Sequence, residues 1–248
     1  MWPVAIVGQL KPRSEDPDAL AARLSIYFAR LSELDPLFSG WVRGGMRHRS
    51  VVPRVVTLPP NIAELRSWMA ENSIFSSRDG YKHHIGYSIG ARTPASNSFR
   101  ADFWLSCLPS DHWLGNRIGL TVSDGQVQSQ PGATAISPNA LREIFREALT
   151  IVGTAWECEW AAVMPGDFRS KGEHASEISI KYRSGWMIYL DQSLGHDVGS
   201  LDEIEVSELP NKAMLITSVP DGRFNPYNPI HRAAAERVQK ALRSLNGK

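Results

Sequence analysis

Apolar side chains recur at three- and four-residue spacings in the first part of the chain and later alternate with polar ones. The two periods mark predicted helices and predicted strands respectively. A short apolar run from Val4 to Val7 reads as a buried strand. Leu20, Leu24, Tyr27, Phe28, Leu31 and Leu34 then share one helical face, while Arg23, Arg30 and Glu33 point elsewhere. Asp16 offers a capping carboxylate, Pro17 suits the first helical position, and Pro36 stops the run. Pro59-Pro60 and the cap residue Asn61 introduce a short helix with Ile62, Leu65, Trp68 and Met69 on one side.

Strand patterns follow at Tyr81 to Ile89, Phe99 to Leu108 and Arg117 to Val122, separated by Ser, Asn, Pro and Gly clusters that suit antiparallel neighbours. Ser137-Pro138 opens a second long helix with Leu141, Ile144, Phe145, Ala148, Leu149 and Val152 inward, and Gly153 is expected to end it. Ala155 to Val163 alternates, with Trp156, Cys158 and Trp160 on one face and Glu157 and Glu159 on the other. Ser176 to Leu190 is either one long strand or a hairpin turning at Arg183-Ser184-Gly185. Lys212 to Val219, almost wholly apolar, is expected near the centre of a sheet. Asn228-Pro229 opens the last helix, which runs to about Leu245 with Ile230, Ala234, Val238, Ala241 and Leu242 inward. The expected class is α+β: a mixed, largely antiparallel sheet or sheets flanked by three long helices and one short helix. Without repeat, low-complexity stretch or linker, residues 1–248 are expected to form one domain, with a split near Ala135 as the alternative.

Particular residues add a resemblance to these patterns. The Pro12-Arg13 and Glu15 approach, the Leu-rich helix, the Leu34-Asp35-Pro36-Leu37-Phe38 exit and Trp41 lie within Gly8 to Gly45 in an order that resembles the bacterial immunity protein 52 family. Gly185-Trp186-Met187-Ile188-Tyr189-Leu190 and the run from Phe224-Asn225-Pro226 to Pro229-Ile230-His231 agree with it, whereas Val51 to Ala135 carries little. The resemblance implies a non-enzymatic immunity protein of polymorphic-toxin, type VI secretion systems. Its implied partner is a cognate nuclease toxin of restriction-endonuclease fold, encoded next door, which it binds and neutralises. The family supplies no catalytic residues to carry over.

Charge narrows the choice of partner. Lys and Arg number 27 against 26 Asp and Glu, a formal net charge of +1, so neither the basic excess of a nucleic-acid binder nor the acidity of a bulk nucleic-acid mimic is present. Cys107 and Cys158 lie far apart without metal-binding spacing, which suits a reduced, cytoplasmic setting. The apolar run at the N-terminus is too short for a secretory core, and no segment has the length of a membrane span.

Candidate chemistry is sparse. Gly86-Tyr87-Ser88-Ile89-Gly90 matches the G-x-S-x-G nucleophile elbow, making a serine hydrolase using Ser88 the rival reading, but the elbow requires a helix directly afterwards and Ala91 to Ser98 reads as a loop. His83 and His84 point to opposite faces in a strand and cannot share a metal, and Asp111-His112 and His196-Asp197 are neighbours in sequence only. No phosphate-binding or dinucleotide loop appears, so no cofactor is expected. Glu157 and Glu159 would lie about 7 Å apart on one strand face, a spacing that acid and base roles share with any solvated strand. The basic loop of Arg43, Arg47, His48, Arg49 and Arg54 lacks interleaved aromatics and reads as solvated. Asp202, Glu203, Glu205 and Glu208 form the densest acidic group, either a charge-protected edge strand or a docking edge for the basic rim of a nuclease. Trp41, in its Gly-rich loop, is equally a partner anchor or a core residue.

Overall fold

The computed structural model describes residues 4–11, 16–44, 61–78, 81–94, 99–108, 116–124, 138–165, 184–195, 198–202, 204–221 and 224–246. Its residues group into two compact units, Gln9–Ala133 and a second made of Met1–Gly8 with Thr134–Lys248. The class is α+β, with antiparallel strand pairing and 18-, 10-, 18- and 13-residue helices as its principal helical elements. Strand β1 (Val4–Leu10) contains the boundary between the units.

In the unit Gln9–Ala133, α1 (Pro17–Leu34) begins where its cap dictates. Asp16 Oδ2 accepts from the amides of Asp18 and Ala19, donors that no helical carbonyl reaches. A 3₁₀ turn (Pro36–Phe38) follows, with Asp35 accepting from Leu37 N–H, and then β2 (Val42–Gly44). Helix α2 (Ile62–Glu71), capped by Asn61, buries Leu65, Trp68 and Met69. Ile62 does not join them: it is exposed, because it is the first residue of the helix and its apolar stripe takes effect only a turn later. Strands β3 (Ser73–Arg78), β4 (Tyr81–Arg92), β5 (Phe99–Cys107) and β6 (Arg117–Asp124) complete the unit in the order β2-β4-β5-β6, with β3 also paired to β4. Strands β2 and β3 carry no alternation of their own and exist through their pairing with β4. At the β4–β5 connection, Thr93 Oγ1 accepts from Ala101 N–H while Thr93 N–H donates to the Ala101 carbonyl, so its buried polar atoms are paired.

In the other unit, α3 (Pro138–Ala155) and α5 (Pro229–Ala241) cover opposite faces of a sheet whose order is β1-β7-β8-β10-β9. Its strands are β7 (Cys158–Pro165), β8 (Met187–Leu190), β9 (Glu205–Glu208) and β10 (Met214–Thr217), with single-turn helices α4 (Gln192–Gly195) and α6 (Arg243–Asn246). Alternation sorts the side chains. Trp160, Ala162, Met164, Ile188, Leu190 and Ile216 pack with Val238 and Leu242 of the α5 side, while Tyr189 turns to α3 and meets Gly153. Gly153 is therefore not the stop of α3 but lies inside it: a Cβ there would come within 2.5 Å of the Tyr189 ring. Strand β10 is bracketed by β8 and β9, one place from the end of the sheet and not at its centre. Leu215 and Ile216 are nevertheless fully buried, Ile216 against Val238 and Leu242, a burial that a run of hydrophobics cannot distinguish from centrality. Ile230, expected inward, is 73% exposed as the second residue of α5.

The Gly185 to Leu190 stretch ties this unit together. Gly185 lies so close to the Val163 carbonyl that a Cβ would approach it to 2.4 Å, and Trp186 donates from its backbone to Val163 and from its indole to the Val219 carbonyl. Ser218 Oγ donates to the carbonyl of Gly185 at 2.8 Å.

Candidate interaction site

Glu205 and Glu208 of the acidic group lie on a hairpin whose turn explains their position. Lys212 N–H donates to the Leu209 carbonyl, Leu209 N–H donates to the Ala213 carbonyl, and Lys212 has a φ of +66°. This is a type I turn led by Pro210 and closed by a residue in the left-handed region, the usual three-residue hairpin loop. It returns the chain from β9 to β10, and β9 ends the strand order.

The carboxylates on and just before that strand have different surroundings. Asp202 is exposed and accepts from Ser200 Oγ at 2.6 Å. Glu205 turns toward α3, where Arg142 Nη2 approaches to 3.3 Å and leaves the carboxylate 34% exposed. Glu208 is exposed and accepts from Lys212 Nζ at 2.9 Å. That hydrogen bond and the Glu208 charge push the Lys212 ammonium above its ordinary range. Glu203 lies outside the described residues. Val206, between Glu205 and Glu208, is 42% exposed.

Trp41 is elsewhere, in the unit Gln9–Ala133, and it is fully buried. Its indole lies 5.1 Å from the Phe28 ring and 6.4 Å from Phe103, and Tyr27 completes the group at 5.4 Å from Phe103. Such tilted and edge-on contacts are those of a packed aromatic core. In this conformation Trp41 presents no surface to a partner. Among the described residues the exposed large apolar side chains are Ile26, Ile62 and Phe75 in that unit and Val206, Tyr227 and Ile230 in the other. Helical periodicity missed Tyr227 because it precedes α5. The signal available for it was the Asn-Pro-Tyr-Asn-Pro composition, which folds as a turn with Tyr227 N–H on Asn225 Oδ1 and Ile230 N–H on Asn228 Oδ1.

Among the described residues the catalytic candidates do not assemble. Ser88 sits in the middle of β4, opposite Ser106 on β5, and the strand continues to Arg92 without a turn into a helix. Its hydroxyl is buried and finds no hydrogen-bond partner among the described residues, so the exposure that a nucleophile elbow creates is missing. Gly86, at φ +145°, is required instead by the Cys107 carbonyl packed against its α-carbon. Glu157 and Glu159 are not partners on a strand face, because Glu157 lies in the turn before β7 with φ +48°. His84 packs its ring against Phe75 and Tyr87. His231 Nδ1 accepts from Asn225 N–H at 2.9 Å. Among the described residues no group of three His, Cys, Asp or Glu side chains is disposed to hold a metal ion. Arg47, His48, Arg49, Arg54, Asp111, His112, His196 and Asp197 lie outside the described residues. Among the described residues no helix is long and apolar enough to cross a membrane.

A family model described as Immunity protein 52 matches residues 8–246. The chain is similar in fold to a solved structure from Pseudomonas aeruginosa titled "T6SS protein PA0821", at 10% identity over 96% of this chain and 73% of that one, with a TM-score of 0.49. No curated protein matches the chain.

Proposed function

Because the chain belongs to the immunity protein 52 family, we propose that it binds and neutralises a nuclease toxin encoded beside it in a polymorphic-toxin system, of the type VI secretion kind, and that it does so in the cytoplasm. The observation that carries this reading is the family match across residues 8–246, nearly the whole chain. The geometry around Ser88 supports it from the other side, since the serine that motivated a hydrolase is buried within a continuous strand.

An inhibitor of a nuclease meets a protein built to hold phosphate, which has a basic rim around its catalytic carboxylates. The exposed carboxylates of Asp202 and Glu208 are suited to steer such a rim. The net charge of +1 argues against bulk mimicry of nucleic acid and for a local contact that blocks substrate access or assembly beside the active site. Co-expression with the toxin domain of the adjacent gene tests the reading. Growth rescue together with co-purification of a complex is expected, and a chain that neither protects nor binds would overturn it.

A further inference from the structure

The docking edge offers more than charge. Leu209 N–H bonds the Ala213 carbonyl, and the register continues as Glu208 to Met214, Ser207 to Leu215, Val206 to Ile216 and Glu205 to Thr217. Bonded and non-bonded pairs alternate along an antiparallel ladder. Counting from Leu209, Ser207 and Glu205 bond inward to β10, and Val206 and Glu208 turn their N–H and C=O groups away from the sheet. Strand β9 is the last in the order, and no described residue pairs with that outer side. The same two residues have exposed side chains.

We propose that β9 is a strand-addition site: an extended segment of the toxin bearing Lys or Arg pairs with the outward backbone groups of Val206 and Glu208. The proposal rests on the immunity reading above and specifies how the partner is held. Charge decides the occupant. From Ser200 to Lys212 the sequence carries Asp202, Glu203, Glu205 and Glu208 against Lys212 alone, and even with Arg142 engaging Glu205 and Lys212 engaging Glu208 the edge keeps an excess of two carboxylates, so a second copy docked edge to edge would set like charge against like charge. A basic strand meets complementary charge instead. Main-chain bonds then supply affinity, and the exposed Val206 and Glu208 side chains supply selectivity.

Amide hydrogen exchange read by NMR, with and without the purified toxin domain of the neighbouring gene, separates the possibilities. On complex formation the Val206 and Glu208 amides are expected to become protected, while Ser207, already bonded to β10, changes little. Val206→Pro removes only an outward donor at a sheet edge, where proline is tolerated, and is expected to weaken binding by about tenfold or more. Val206→Thr keeps the donor and is expected to bind within about threefold of the parent. A stable complex in which the Val206 and Glu208 amides exchange as fast as in the free protein overturns strand addition and leaves the immunity reading standing. Absence of any complex with the unaltered chain overturns both.

Discussion

Gly153 lies inside α3 with its α-carbon against the Tyr189 ring. An alanine there gains about 1 kcal/mol of helix propensity but places a methyl group at 2.5 Å from a ring that is itself buried and cannot retreat. Overpacking of this kind costs about 1–3 kcal/mol, so Gly153→Ala is expected to lower stability in denaturant unfolding. Tyr189 itself senses pH. Burial is the main cause that pushes its phenol up to about 12; the hydrogen bond from Asn211 opposes the rise, and Asp191 and Cys158 add to it. With the folded value above the ordinary 10.0, the unfolded chain loses its proton first as pH rises. The contribution is complete below about pH 10 and declines toward pH 12. Thermal unfolding across that window is expected to show a falling midpoint, and Tyr189→Phe is expected to flatten the fall. Neither role of Tyr189 is visible in its alternating neighbours. Both depend on which helix faces it.

Helix α1 was legible from its sequence because cap, first-turn proline, apolar stripe and stop all lie within a few residues of one another. Asp16→Ala removes the acceptor for two amides and is expected to cost about 1 kcal/mol in the same unfolding measurement. The beginnings of α2 and α5 show where this local logic ends: Asn61 and Asn228 cap them as expected, yet Ile62 and Ile230 are exposed. Periodicity assigns a face to every residue of a helix, whereas burial requires a neighbouring element at that height. The short strands β2 and β3 are the converse, with weak patterns of their own and a place supplied by β4. The hairpin of β9 and β10 lies between these cases. Its turn residues and acidic edge are readable, but the outward side of β9 emerges only from the register with β10.

For the whole molecule, near-neutral net charge moves attention from total charge to its distribution. Asp202 and Glu208 stay exposed, Glu208 in a surface ion pair with Lys212, while Glu205 is partly buried against Arg142. Reversing both exposed carboxylates to Lys is therefore expected to slow association with the toxin and reduce its salt dependence, as measured by stopped-flow mixing at several ionic strengths. Unchanged rates would exclude these side chains from steering. The α+β class, the capped helices, the main antiparallel strands and the family membership were present in the sequence, because propensity, capping and alternation act over a few residues and a family resemblance is itself carried by residues in order. The candidate site was present only in outline, as an acidic run and an aromatic in a loop. Tertiary structure decided that Trp41 is enclosed by Phe28 and Phe103, that Ser88 is buried within a strand, and that β9 ends its sheet with Val206 turned out. The physical reason is that exposure and strand-edge position are properties of distant partners, brought together by packing and pairing that no local pattern encodes.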